Sequence, residues 1–176
     1  MSDVTVERVR EREPEPASLL DRFEDKQHRR RHRALEGRIV MRRDEMVLEQ
    51  NRQGLIRWFL NSQEDPDDVT AESATDCWDV FTHDIRTNSG MHRHQGGLVI
   101  YVVSGKGHTV VENTRVDWEA GDLLLLPIQP GGVAHQHFND EDGSEPVQWV
   151  ALIYRPMHDA MGAFLEQIVE SPDFAG

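Results

Sequence analysis

The sequence predicts an all-β protein, a small barrel or sandwich of short strands with one helix before it and one helix after it. From residue 78 onward, short runs of β-branched, aromatic and aliphatic residues follow one another. Turn-forming glycine, proline and aspartate lie between these runs, at 104–107, 119–122, 130–132 and 140–146. Evenly spaced short strands with such turns are typical of sandwiches and barrels, and the lack of an internal repeat predicts a single barrel.

The N-terminal part of the chain predicts a charged tail followed by a helix. Residues 1–16 are densely charged and contain prolines but few apolar residues, so we expect them to be disordered. Residues 17–35 predict a helix, with Ser18 in a position to cap its first turn and Gly37 just beyond its end.

Between this helix and the barrel, the pattern changes to that of short strands. Residues 38–41 (RIVM) and 55–60 (LIRWFL) are β-rich runs, whereas 61–75 are polar and acidic and predict a loop. We therefore expect residues 17–77 to form a helix and added strands in front of the barrel.

The barrel is predicted to span residues 78–156. Its expected strands are 78–85, 97–104, 108–112, 115–118, 123–126, 135–139 and 147–154. Beyond the barrel, between positions 158 and 169, apolar residues recur at helical spacing, at Met161, Phe164, Leu165 and Ile168. Residues 157–176 are therefore expected to form a helix that packs on the barrel.

The formal net charge of the chain is −13, with +1 on residues 1–33 and −14 on the remainder. An acidic body repels phosphate backbones, so nucleic acid is not expected as a partner. The basic run 28–33 (HRRRHR) could be a contact site, but the acidic residues near it favour a solvated helix face.

Cysteine content and apolar patterning bear on the compartment. The single cysteine, Cys77, leaves the chain without an internal disulfide or a multi-cysteine zinc site. The N-terminal residues lack the apolar stretch of a secretory signal, and no apolar run reaches the ~20 residues that span a bilayer. We therefore expect a cytoplasmic protein without a membrane partner.

Three histidines form the pattern that points to chemistry. His92 and His94 are two positions apart, so on a strand both imidazoles point to the same face. His135 lies on a later strand, and His137 shares its face. A lone buried histidine is usually structural, but imidazoles gathered inside an apolar barrel leave polar rings in low dielectric unless a metal binds them. Imidazole suits iron, zinc, copper and nickel, so the sequence predicts a divalent metal site.

The residues around these histidines resemble the two sequence motifs of the cupin superfamily. Positions 90–98 (GMHRHQGGL) are similar to the first motif, and 121–127 (GDLLLLP) with Asn139 are similar to the second. The resemblance implies the cupin double-stranded β-helix, a jelly-roll barrel. It also implies a single metal ion bound by His92, His94 and His135.

One position departs from the cupin pattern. Most metal-binding cupins have a glutamate four residues after the second histidine of the first motif, and this chain has Leu98 there. The resemblance therefore implies three neutral imidazole ligands and no carboxylate. Such a site leaves the metal its full charge and favours an anionic, chelating substrate.

Cupins with three histidine ligands include gentisate and salicylate ring-cleaving dioxygenases, a diketone-cleaving dioxygenase and thiol dioxygenases. Positions 105–111 (GKGHTVV), 118–122 (WEAGD) and 135–139 (HQHFN) resemble the gentisate type most. Those enzymes are longer, double-cupin chains, and their substrate-holding arginine has no counterpart here. The resemblance implies a dioxygenase that inserts O₂ into a hydroxylated aromatic acid or a diketone with C–C cleavage. Fe(II) is the expected metal, with manganese, nickel, copper and zinc as alternatives.

Two other functions stay open at this point. One is a non-oxidative isomerase, lyase or decarboxylase in which the metal acts only as a Lewis acid. The other is a small-molecule-binding cupin without catalysis. A DNA-binding regulator is disfavoured because the part of the chain before the barrel predicts one clear helix rather than a helix pair.

His137 is the predicted catalytic residue. Its place two residues after His135 favours proton transfer or support of a ligand, with a fourth metal ligand and an ordinary polar residue as alternatives. A mainly apolar substrate pocket is expected from Leu98, Ile100, Val102, Phe81, His83 and Trp149. The resemblance also implies a homodimer, which would cover strand edges at 38–41 and 55–60.

Overall fold

The structure is a computed structural model that describes residues 18–62, 72–141 and 145–175. The expected tail at 1–16 lies outside the described residues, as does most of the expected loop at 61–75. In chain order the elements are α1 (Leu19–Glu36), β1 (Leu48–Asn51), β2 (Gly54–Leu60), β3 (Trp78–Ile85), β4 (Met91–His94), β5 (Val99–Ser104), β6 (Lys106–Val111), β7 (Thr114–Glu119), β8 (Leu123–Leu125), β9 (Val133–Asn139), β10 (Val147–Tyr154), α2 (Arg155–Ala160) and β11 (Leu165–Val169).

These strands form two antiparallel sheets around one core, which confirms the predicted all-β class. The six-stranded sheet has the order β1-β2-β3-β10-β5-β8, and the five-stranded sheet has the order β11-β4-β9-β6-β7. Buried and less buried residues alternate along β3 and β10, as expected for strands with one face on a core. Ile56, Ile100 and Val147 from the larger sheet and Trp118 from the smaller sheet belong to the same apolar cluster.

Helix α1 begins and ends where the sequence predicts. The Ser18 hydroxyl accepts a hydrogen bond from the Asp21 backbone N–H at 3.1 Å, and the Asp21 carboxylate accepts one from the Ser18 N–H at 2.8 Å. This reciprocal pair satisfies two backbone donors at the helix start. Gly37 follows the last helical residue, and no residue of α1 is buried.

The basic run 28–33 attaches this exposed helix to the body of the protein. Arg30 pairs with Asp76 at 2.9 Å, and Arg33 donates to the backbone carbonyl of Ser73 at 3.1 Å. The run therefore lies mostly on a solvated helix face, and two of its arginines hold the helix beside residues 73–76.

The prediction of a strand at 38–41 is wrong. Arg38 forms only an isolated bridge with Ser73, and Ile39 and Val40 are largely exposed. The edge of the larger sheet is occupied instead by β1, which pairs with β2 through Leu48–Asn51. A β-branched run becomes a strand only where a neighbouring strand pairs with it, and among the described residues the pairing of this run does not extend beyond Arg38.

The prediction of a continuous helix at 158–169 is also wrong. A short helix, α2, ends at Ala160, and Gly162 follows with a φ of 66°, a conformation that terminates helices. The chain then continues as β11, which pairs with β4 so that Leu165 lies opposite His94 and Gln167 opposite His92. Pairing with the otherwise open edge of β4 satisfies backbone groups, which outweighs the helical spacing of the apolar residues.

The remaining strand predictions are confirmed within a few residues at each end. β3 and β10 have the predicted bounds, and they pair along their whole length. Among the described residues, no helix is both long and apolar enough to cross a membrane.

Candidate metal centre

Two neighbouring strands bring the three predicted ligands together. β4 and β9 run antiparallel, and His92 lies directly opposite His135 in their register. Because alternate residues of a strand share a face, His94 points to the same interior. The centroid of the His135 ring lies 4.3 Å from that of His92 and 4.7 Å from that of His94. The ligand nitrogens of all three residues lie within 4.8 Å of one another.

The hydrogen bonds of these rings fix which nitrogen is free. Nδ1 of His92 lies 3.1 Å from the Gly90 carbonyl oxygen, Nδ1 of His94 lies 2.5 Å from that of Gln95, and Nδ1 of His135 lies 3.1 Å from that of Val133. A carbonyl oxygen can only accept, so each Nδ1 carries the proton and each Nε2 keeps a lone pair. Backbone partners that orient imidazoles in this way are typical of metal-binding histidines.

Burial keeps these imidazoles neutral. Burial, followed by the neighbouring His94, lowers the pKa of His92 to about 4. Burial also lowers the pKa of His94, against the opposing effect of its hydrogen bond to Gln95. Burial, followed by His92 and His94, holds the pKa of His135 well below its usual value. Neutral rings have lone pairs available for a metal ion near neutral pH.

The donor set fits a divalent transition metal. Within the described parts of the chain, no carboxylate or thiol joins the three histidines as a ligand-forming group. Leu98 lines the cavity, and it stands at the position where most metal-binding cupins have a glutamate. Three imidazoles with open positions are a donor set that Fe, Zn, Cu and Ni accept. The residues present therefore fit the predicted metal.

A second group of possible ligands lies on the surface and does not have the features of a metal site. His108, Asp117 and Asp140 are close together, but His108 Nδ1 contacts Asp140 at 2.8 Å. Arg115 binds both carboxylates, at 2.7 Å from Asp117 and 2.8 Å from Asp140. The arginine already neutralises the group.

The three histidines open into a cavity of about 880 Å³. Of the predicted pocket residues, Leu98, Ile100, Phe81 and Trp149 line it. The other two, His83 and Val102, are buried but are not among its lining side chains. The His83 ring instead packs edge-on against Trp149 at 4.9 Å, and its burial lowers its pKa to about 3.

His137 lies beside the histidine cluster formed by His92, His94 and His135, and it also lines the cavity. Its ring centroid is 5.3 Å from that of His135 and 5.0 Å from that of Trp149. Its Nδ1 lies 2.7 Å from the hydroxyl oxygen of Thr109. Burial, followed by His135 and other nearby histidines, holds the pKa of His137 well below its usual value.

The sequence did not identify a set of cavity residues that comes from the C-terminal segment. The cavity is also lined by Arg155 and His158 of α2, by Phe164, and by Gln167 of β11. Arg155 lies 3.4 Å from Nδ1 of His158, whose ring centroid is 6.1 Å from that of His94. The predicted helix at 158–169 gave no reason to expect His158, Phe164 or Gln167 at the cavity. His158 was the only available signal, and its spacing from the other histidines carries no information.

Comparison with known families agrees with this geometry, because residues 81–153 match the cupin domain. This region is a cupin domain. At low identity it is homologous to ring-cleaving dioxygenases. A gentisate 1,2-dioxygenase of Ralstonia sp. is 36% identical over 67 residues, which cover 38% of this chain and 18% of that enzyme.

Two further similarities bear on the cupin domain and on the fold. A 5-aminosalicylate 1,2-dioxygenase of Comamonas sp. is 30% identical over 81 residues, 46% of this chain and 20% of that enzyme. The chain thus spans about a fifth of the length of these relatives. The solved structure of Streptomyces PAC13 with uridine has a TM-score of 0.51 at 13% identity, and the match covers 77% of this chain and 95% of that chain. At that identity the likeness concerns the fold alone.

Proposed function

We propose that this chain is an Fe(II)-dependent dioxygenase that inserts O₂ into a small anionic, chelating substrate with cleavage of a C–C bond. The observation that carries the proposal is the donor set of three neutral imidazoles, which no carboxylate joins among the described residues. A divalent ion held by neutral ligands keeps its positive charge and favours an anion that chelates it. When bound, iron would supply substrate chelation and the activation of dioxygen.

The cavity and the relatives both support a proposal for the substrate class. The two relatives are named for gentisate and 5-aminosalicylate, both hydroxylated aromatic acids. Leu98, Ile100 and Phe81 give the cavity an apolar wall suited to one aromatic ring. We therefore propose a hydroxylated aromatic acid, with a diketone as the other substrate that chelates through two oxygens.

The chain's own residues divide the work between them. His92, His94 and His135 would hold the metal, with their Nδ1 protons bound to backbone carbonyls. The apolar wall would exclude water from the bound substrate. His137 would exchange a proton with the substrate or with oxygen beside the metal. We further propose that the protein acts as a cytoplasmic homodimer.

Oxygen consumption tests the proposal. Protein loaded anaerobically with Fe(II) is mixed with gentisate, salicylate, 5-aminosalicylate or a simple β-diketone, and O₂ uptake is followed with an electrode. We expect uptake with at least one of these compounds and none from zinc-loaded protein. Turnover by zinc-loaded protein without O₂ would point to a non-oxidative isomerase or lyase instead. Binding without turnover of any compound would point to a ligand-binding protein.

A further inference from the structure

We propose that Thr109 and Trp118 are positioning residues that hold His137 as a hydrogen-bond donor, with its proton on Nε2 and directed into the cavity. The group that meets His137 is then a hydrogen-bond acceptor on the ligand, such as a phenolate, carboxylate or dioxygen oxygen. The identity of that ligand rests on the proposed function, whereas the placement of the proton does not.

The three side chains form a continuous buried chain of hydrogen bonds. Thr109 on β6 lies opposite His137 on β9 in the sheet register. The Thr109 hydroxyl oxygen is 2.7 Å from His137 Nδ1, and the Trp118 indole N–H donates to the same oxygen at 2.9 Å. Thr109 is 0% exposed, His137 1% and Trp118 6%, so water does not compete for these bonds.

The direction of the bonds follows from what each group can do. An indole N–H can only donate, so the Thr109 oxygen already accepts one proton from Trp118. The hydroxyl has one proton of its own, and among the described residues its one remaining partner is His137 Nδ1. Nδ1 must therefore accept, which leaves the proton of the neutral ring on Nε2.

The opposite arrangement leaves a group unsatisfied. If Nδ1 carried the proton, two N–H groups would point at one oxygen, and the buried hydroxyl proton would have no acceptor among the described residues. The penalty for a buried unsatisfied polar group favours the Nε2–H form by about tenfold or more. The neutral state itself agrees with the full burial of the ring, which no carboxylate contacts through a described hydrogen bond.

The backbone around His137 fixes the ring in place. The His137 N–H donates to the Ser89 hydroxyl at 2.9 Å, and the Ser89 N–H donates to the His137 carbonyl at 2.9 Å. Gly107 leaves room for the indole of Trp118, because a Cβ at this position would clash with that ring and with the Phe138 carbonyl. The indole can therefore reach Thr109 only because residue 107 is glycine.

The placement of the proton refines the role of His137. The two ring nitrogens point in nearly opposite directions, so Nε2 faces away from Thr109, and the ring lines the cavity. A fixed N–H beside the histidine cluster stabilises negative charge that develops on an oxygen, as donors in oxyanion holes do. Nε2 in this form has no lone pair with which to accept a proton. His137 therefore acts first as a donor and not as a base.

Nuclear magnetic resonance of protein with heavy-nitrogen-labelled histidine tests the inference directly. Zinc-loaded protein is used because zinc is diamagnetic, and the His137 signals are assigned by their loss in His137→Gln. We expect a protonated Nε2 and an unprotonated Nδ1 in the wild type. Thr109→Val should shift both signals towards a mixture of tautomers, whereas Thr109→Ser, which keeps the hydroxyl, should retain the wild-type pattern. Thr114→Val, an exposed threonine of β7, is the matched control and should change nothing.

A protonated Nδ1 in the wild type overturns the inference, as does an unchanged His137 pattern in folded Thr109→Val. If Thr109→Val does not fold, the wild-type and Thr109→Ser spectra still decide the question. The experiment does not involve O₂. The predicted tautomer without any oxygen uptake would uphold the donor and reject the dioxygenase, and oxygen uptake with the opposite tautomer would do the reverse.

Discussion

The histidine cluster (His92, His94 and His135) and the corner beside it (His137, Thr109 and Trp118) use histidine in two different ways. His135 and His137 lie two residues apart on one face of β9, and both are almost fully buried. The His135 Nδ1 faces a backbone carbonyl, so its Nε2 offers a lone pair to a metal. The His137 Nδ1 faces the Thr109 hydroxyl, so its Nε2 offers a proton. The partner of Nδ1, rather than spacing or burial, distinguishes a ligand from a donor.

The largest effect is expected when a ligand is removed from the cluster. His92→Ala, His94→Ala or His135→Ala should each remove most of the bound metal, because an open site with three protein ligands has no spare donor. Metal analysis of protein purified without chelators measures the content. His108→Ala, in the surface group, is the control and should keep wild-type metal. Full metal content and activity in His135→Ala would show that another residue is the third ligand.

Removal of the His137 donor should distinguish the role of the corner from that of the histidine cluster. His137→Ala is expected to keep the metal but to lower the turnover number by roughly 10²–10³-fold, the usual cost of removing one hydrogen-bond donor that stabilises developing negative charge. His137→Gln should recover part of the loss if its amide N–H reaches the same place. Turnover rates and metal content are measured on the same preparations. A loss of metal in His137→Ala would mean that His137 belongs to the cluster after all.

A carboxylate added to the cluster tests its neutral character. Leu98 lines the cavity and is buried. Leu98→Glu should still bind metal, and more tightly than the wild type, but should lose most activity, because the new charge occupies a metal position and weakens the attraction for an anionic substrate. Metal titration checks the predicted affinity and O₂ uptake checks the predicted loss of activity, with Leu98→Gln as the uncharged control. Unchanged turnover in Leu98→Glu would show that this side chain does not face the metal.

The smallest effect on the metal site is expected from substitutions on the outer surface of the barrel. The outer face of β5 and β8 exposes Val99, Tyr101, Val103, Leu123 and Leu125. The edges that the homodimer was expected to cover are not open, because 38–41 is not a strand and β2 pairs with β1 on its outer side. We expect the homodimer to cover this apolar face instead, and Tyr101→Lys should weaken association by about tenfold or more without a change in metal content. Light scattering at micromolar concentration measures the mass. A monomeric wild type at that concentration would contradict the prediction.

The sequence predicted those strands in which apolar and polar residues alternate, because this alternation alone indicates a strand with one face on the core. β3 and β10 have the predicted bounds because each has one face on the core and the other outside. The errors at 38–41 and 158–169 lie where the outcome depends on a distant strand. β1 forms the edge of the larger sheet by pairing with β2, and β11 pairs with the edge of β4. Local propensity carries no information about either pairing.

The candidate site divides in the same way. The three ligand positions could be predicted because two of them share a strand face and the surrounding residues resemble known motifs. Thr109 and Trp118 could not, because their relation to His137 depends on the registers of β6 with β7 and β9. Arg155 and His158 were missed because they reach the cavity through the path of α2. The ligand set of the histidine cluster could therefore be predicted from the sequence, whereas the hydrogen bonds of the corner could be identified only from the structure.

The most direct test of the central claim is to follow isotope-labelled dioxygen into the product. Fe(II)-loaded protein is incubated with the compound that gives the fastest oxygen uptake, and the product is analysed by mass spectrometry. A dioxygenase with a three-histidine centre should place both labelled oxygen atoms in a ring- or chain-cleaved product, and zinc-loaded protein should give no product. Product formed by zinc-loaded protein in the absence of oxygen, or product without label from the iron form, would contradict the account.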